Sequence, residues 1–291
     1  MHGSRISTCT RRGLAAVVAA GSLLTVLTSA TPASAETASA PAGGSKVVCT
    51  SKKPGLAPAL SRDLAGALAG RQGASAMAVY DRTTKTNCEF KGGTHFDSAS
   101  VVKVTVLGAL LRKTEEAHRK LTPHEVDLTT DMITKSDNDA TTALWHRVRP
   151  AGVQHFLSLA AMRDTVPGKG GAWGLTQITA HDQLTLMRLL TTDTPVLTEH
   201  SRGYALDLMH RVVPGQRWGA PAGAPAGAAV HVKNGWLPRE KGGWRVNSVG
   251  AFTGSSHDYG MAVLSTGSHT MDYGVDTIEN AARVVHRHLA R

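Results

Sequence analysis

The spacing of apolar and polar residues predicts a helix, two strands, a long helical stretch, three strands and a closing helix. "PALSRDLAGALAG" carries its leucines on one helical face and stops near Gly70. "ASAMAVYDR" and "TNCEF" read as strands joined across the turn "RTTK". From residue 98 to about 213 the period is helical, through "SVVKVTVLGALLRK", "TPHEVDLTTDMI", "DATTALWHRV", "AGVQHFLSLAAM", "TAHDQLTLMRLL" and "TEHSRGYALDLMHRVV". The Ala/Gly/Pro segment around "GAPAGAPAG" ends that stretch. Strands return in "AAVHVKNGW", "WRVNSVGAF" and "YGMAVLS", and "YGVDTIENAARVVHRHLA" reads as the final helix.

This order predicts an α/β (α+β) domain with one antiparallel sheet of five strands, drawn from both ends of the chain. Terminal helices flank the sheet, and an all-α subdomain spanning about residues 104–211 is inserted. The cleft between the two halves is the expected place for a site. Residues 47–291 form the domain on this reading, and the Gly/Ala/Pro-rich residues 36–46 form a linker. Residues 1–35 read as a secretory leader. Arg5, Arg11 and Arg12 precede a short apolar run, and Ala33-Ser34-Ala35 offers a small-residue cleavage site. The protein is therefore expected to be secreted, by the Sec or the Tat route, without stable membrane insertion.

The full chain carries 32 Lys and Arg against 22 Asp and Glu, a net charge of +10; without the three leader arginines, 29 against 22 leaves +7. The basic residues are scattered, with no run and no interleaved aromatics, so a nucleic-acid partner is not expected. A carboxylate-bearing small molecule or peptide, peptidoglycan-derived material among them, suits the charge better. No metal-ligand spacing stands out, and His286 and His288 read as solvated on a polar helix, so neither metal nor cofactor is expected. After loss of Cys9 with the leader, Cys49 and Cys88 are the only cysteines, an expected disulfide between the N-terminal segment and an early strand. Monomer is the default state.

Lys103 is the anomaly of the helical stretch. It lies among valines and leucines in "SASVVKVTVLGALL", on the same helical face as Ser100. A helix apolar on every side is buried, and burial favours the neutral amine, a general base for a neighbouring hydroxyl. Ser100, at the helix start, lies near unpaired N–H groups and the positive end of the dipole. The plain alternative is a capping serine and a lysine that snorkels to solvent. Two further elements weigh against it. In "TKSDNDATT", Ser136 would relay a proton, Asp137 would hold the loop, and the Asn138 amide would bind a substrate amide. In "VHVKNGWLPREKGGW", Asn-Gly competes as a hairpin turn, but Pro238 fits a return strand poorly. Lys233 is then on a strand edging the cleft, where its charge would attract a carboxylate and help keep Lys103 neutral.

Ser-x-x-Lys, Ser-Asp-Asn and Lys-x-Gly, in this order on helix, loop and strand, resemble the serine β-lactamase and penicillin-binding-protein superfamily, class A enzymes above all. The resemblance spans about residues 49–291. It implies Ser100 as acylated nucleophile, Lys103 as base, Ser136 as proton shuttle, and Asn138, Lys233, Asn234 and Gly235 as the substrate-binding set. It also implies an oxyanion hole at the backbone N–H groups of Ser100 and Trp236.

The chain departs from class A enzymes in three places. Their Ω loop carries a glutamate that activates the deacylating water. The corresponding "MRDTVPGKGGAWGLTQITAHD" is shorter and has no glutamate; its carboxylates, Asp164 and Asp182, read as a turn residue and a helix-start residue. The segment between Ser100 and Ser136 is also shorter, and Lys-Asn-Gly replaces Lys-Thr-Gly. Trp173 and Trp236 are candidate cleft walls or packing residues. The function expected is an exported serine hydrolase or acyl transferase working through a Ser100 acyl-enzyme on a D-alanyl peptide or β-lactam. A β-lactamase with true turnover, and a non-catalytic cell-wall binder or β-lactam sensor, are the alternatives.

Overall fold

The computed structural model describes residues 1–4, 7–8 and 34–289; most of the leader expected over residues 1–35 lies outside the described residues. In chain order the elements are β1 (Glu36–Ala42), β2 (Ser45–Ser51), α1 (Leu56–Leu68), β3 (Ala74–Asp81), β4 (Thr86–Phe90) and β5 (Phe96–Asp97). There follow α2 (Val102–Glu116), α3 (Pro123–Thr130), α4 (Asn138–Leu159), β6 (Gln177–Ile178), α5 (Ala180–Thr191) and α6 (Glu199–His210). The chain then returns through β7 (Ala229–Leu237), β8 (Trp244–Gly254), β9 (His257–Ser268) and α7 (Met271–Leu289).

The main sheet has the order β1-β2-β4-β3-β9-β8-β7, with every pairing antiparallel. Alternation along β3 builds two cores. Ala76, Ala78 and Tyr80 join the cluster under the helical subdomain, while Met77 and Val79 join the one under α1 and α7. Both faces of the sheet are thus covered, and β7 is left as the edge that borders the site.

The sheet has seven strands rather than the five expected. Residues 36–46, read as a linker, supply β1, which pairs with β2 through a turn at Gly43 and Gly44, both at positive φ. β1 alternates only through alanines: Ala38, Ala40 and Ala42 face the core under α1 and α7, too weak an apolar signal within a Gly/Ala/Pro-rich stretch to read as a strand. β2 and β4 face each other at Cys49 and Cys88, which form the expected disulfide. The bridge closes a loop with a sequence separation of 39, a constraint on the unfolded chain of about 4 kcal/mol. The double substitution Cys49→Ser, Cys88→Ser should therefore lower the unfolding free energy read from urea melts by about 4 kcal/mol without altering the site; an unchanged stability would contradict the assignment.

His286 corrects the reading of "HRH" as solvated. α7 packs this residue inward at 1% exposure, and burial lowers its pKa to about 4. The neutral ring accepts from the Tyr259 hydroxyl at Nδ1 (2.8 Å) and donates from Nε2 to the Ala220 carbonyl (2.7 Å). Helix α4 breaks at Arg149 (φ 67°) before Pro150, which is where two separate helices are expected from sequence. Among the described residues no helix is long and apolar enough to cross a membrane.

Candidate active site

The nucleophile turn is built before α2 begins. Ala99, Ser100 and Val101 form a 3-10 turn running directly into α2, and buried Ala99 adopts φ 46°. The sheet pins this turn from below. Asn247, buried in β8, donates through Nδ2 to the carbonyls of Asp97 (2.9 Å) and Ser98 (3.2 Å). Gly235 of β7 closes from the side: a Cβ there would stand 2.7 Å from Ser100 N and 2.8 Å from Val101 N. Ser100 makes no capping hydrogen bond and remains half-exposed.

Lys103 does not snorkel. Both Lys103 and Lys233 have 0% exposure, and both reach Ser136. The Lys103 Nζ lies 2.6 Å from the Ser136 carbonyl, 3.1 Å from Ser136 Oγ and 2.8 Å from Asn138 Oδ1. Lys233 Nζ lies 2.9 Å from Ser136 Oγ and 2.9 Å from the Asn234 carbonyl. Burial lowers the Lys103 pKa to about 8, with the Asp137 carboxylate pulling weakly the other way. Lys233 is held well below the usual lysine range, by burial first and by the charge of Lys103 second. Two ammonium groups around one hydroxyl repel each other, so the pair resists full protonation. Ser136 Oγ carries a single hydrogen. It donates to the neutral amine and accepts from the charged one, which makes it a two-way proton bridge.

Ser136 holds this position because a π-helical turn at Asp131–Lys135 ends in its left-handed conformation (φ 60°, ψ 36°). Asp137 then caps α4, accepting from the Ala140 N–H at 2.7 Å. Asn138 spends its Oδ1 on Lys103, and its Nδ2 has no protein partner among the described residues.

Asn234 corrects the sequence expectation. Expected among the substrate contacts, this side chain has 0% exposure and donates through Nδ2 to the carbonyls of Gln216 (2.9 Å) and Trp218 (2.8 Å). The pleat explains this: Asn234 shares a face with its cross-strand partner Ser248, whose Oγ accepts from Ala220 N–H of the same crossing loop. Trp236 packs edge-to-face on Trp218, with ring centroids 5.9 Å apart. Trp173 instead lies over the site. Its ring centroid is 5.0 Å from Lys103 Nζ, and its Nε1 donates to Thr142 Oγ1 at 3.2 Å.

The carboxylates of the glutamate-free loop serve its own shape. Asp182, 1% exposed, accepts from Asp164 N–H (2.9 Å) and Thr165 Oγ1 (2.7 Å) at the start of α5. Asp164, His181 and Asp182 bring potential ligand atoms within 4.8 Å of one another, but this grouping belongs to the loop anchor and not to the serine–lysine site. Sequence reasoning missed Asn247 and Thr142. An asparagine inside the otherwise apolar "WRVNSVGAF" was the available signal for the first; an exposed helical threonine gives none for the second.

The sequence model of the β-lactamase enzyme family matches residues 59–126 and 122–289. No curated protein matches the chain. Among solved structures, TLA-1 extended-spectrum β-lactamase has a TM-score of 0.69 and 16% identity, over 80% of this chain and 98% of that one. A class A β-lactamase from Bacteroides cellulosilyticus DSM 14838 has 0.69 and 17%, over 79% and 97%. A mutant of PBP-A, solved as an acyl-enzyme complex with penicillin G, has 0.65 and 19%, over 75% and 90%. At these identities the structural likeness is one of fold, and the match to the family model extends it to kinship. The chain belongs to the β-lactamase enzyme family and is a serine hydrolase related to the β-lactamases.

Proposed function

We propose that this protein is an exported acyl-transferring hydrolase that forms an acyl-enzyme on Ser100 with a carboxylate-bearing amide or ester, of the D-alanyl peptide or β-lactam type. The observation that carries the reading is the hydroxyl of Ser136 placed between two buried amines. In the forward step the neutral Lys103 amine takes the Ser100 hydroxyl proton as Oγ attacks the substrate carbonyl. The proton then passes through Ser136 Oγ to the departing nitrogen, and the Ser100–acyl ester remains. Backbone N–H groups of Ser100 and Trp236 receive the developing oxyanion, with Gly235 allowing that approach. Asn138 Nδ2 is the donor for the substrate amide, and Lys233 supplies positive potential for the carboxylate. The disulfide and the leader-like sequence support an oxidising, extracytoplasmic destination.

Acyl release is slow in this reading, because the Lys103 amine is bonded to Ser136 and Asn138 and to no carboxylate. Rapid β-lactamase turnover, the second enzymatic reading, draws on the class A-like fold but lacks that base. A purely binding role leaves the two buried amines without a purpose.

Penicillin G is the direct probe. One covalent adduct should appear in the intact mass, map to the peptide containing Ser100 and vanish in Ser100→Ala. Absence of any adduct, or one that persists in the variant, would overturn the reading.

A further inference from the structure

Lys103 Nζ lies within hydrogen-bond distance of Ser136 O, Ser136 Oγ and Asn138 Oδ1. The indole face of Trp173 covers the amine as well, 5.0 Å away. The ring is set in place from two sides. Its own N–H donates to Thr142 Oγ1 on α4. The chain just after it is tied to the nucleophile turn, where Ser98 N–H donates to the Thr176 carbonyl (2.9 Å); the single Ser98 hydroxyl hydrogen has the Ala99 carbonyl nearest (3.1 Å), with the Gly174 and Trp173 carbonyls at 3.4 and 3.5 Å. On the other side lie Gly170 and Gly171, both at positive φ, a conformation that side chains rarely adopt.

Hydrolysis of a Ser100 ester needs a water that bonds to the acyl carbon while its proton passes to a base. The Ser100 Oγ–acyl bond then breaks, and Oγ recovers a proton from that base. Lys103 is the amine within the site, and the half-exposed Trp173 ring stands over it, 5.0 Å from Nζ. We propose that Trp173 is a specificity-determining residue for acyl release, keeping water from the Lys103 amine so that the acyl group is held on Ser100. This rests on the acyl-enzyme reading above and adds to it the residue that sets the lifetime of the intermediate.

The test follows acylation and release of penicillin G by time-resolved intact mass in the wild type, Trp173→Ala, Trp173→Phe and Thr142→Val. Trp173→Ala should release its adduct at least ~10-fold faster, part of the ~10²–10⁴-fold that a well-placed general base supplies. Its acylation should not accelerate, since uncovering the amine favours the protonated form; faster release without faster acylation is a split that general loosening of the fold would not produce. Trp173→Phe keeps a ring without the indole N–H, and Thr142→Val removes the acceptor of that N–H. Both should accelerate release by a smaller factor, and they decide the matter if the alanine variant does not fold. Adducts that form but leave at the wild-type rate in all three variants would overturn this inference alone. A wild-type protein that forms no adduct would overturn it together with the Ser100 reading.

Discussion

Lys103→Ala should slow acylation by penicillin G by about 10²–10⁴-fold, the usual contribution of a positioned general base, with the secondary structure intact. Lys103→Arg should be equally inactive, since a guanidinium keeps its proton at any accessible pH and cannot serve as a base. The wild-type rate should depend on pH with a definite sign. Below about 8 the Lys103 amine is protonated and has no lone pair to offer; above it the neutral form accumulates. Acylation should therefore rise with pH and level off above about 8. Rapid-quench mass spectrometry between about pH 6 and 9 reads all of this. A flat profile, or a Lys103→Ala protein that acylates at the native rate, would remove Lys103 from the chemistry.

The parts of this design visible in the sequence are those whose residue types are expensive in their surroundings. Lys103 amid valines is such a case, because burial of an ammonium needs a reason. The Ser136–Asn138 turn and Lys233 became legible through their order with Ser100. The alternating strands β3, β8 and β9 were readable because each side of the sheet rests on a core. Strand β1 was not, since its core-facing positions, Ala38, Ala40 and Ala42, carry only methyl groups and look like linker composition. Nor was the role of Asn234: a hydrophilic residue beside Lys233 looks like a ligand contact until the pleat assigns it to the opposite face. The seating of Trp173 was equally hidden. The sequence offered wall or packing, and only a three-dimensional path places its ring over the amine.

Gly235→Ala should be the second most damaging single change, although it removes no chemical group. A methyl at this position would meet Ser100 N at 2.7 Å, Val101 N at 2.8 Å and the Ser98 carbonyl at 2.9 Å, all backbone atoms with no rotamer to escape through. β7 has little freedom to withdraw. Gly235 is in register with Asn247 of β8, and Asn247 holds the Asp97 and Ser98 carbonyls. Retreat of the strand and retention of the nucleophile turn are thus opposed through the same residue. The strain should be taken up by the turn, and a displacement of about 1 Å at a nucleophile costs roughly 10²-fold in rate. Overpacking of this kind also lowers stability by about 1–3 kcal/mol. The matched control is Gly66→Ala on the exposed side of α1, where an added methyl meets nothing within 4 Å. It should leave acylation unchanged and stabilise by about 0.4–1 kcal/mol. Urea melts and penicillin acylation rates separate the two outcomes. A Gly235→Ala protein with native stability and native acylation would show that β7 does not support the nucleophile turn, and would remove the basis for placing Trp236 N–H beside that of Ser100.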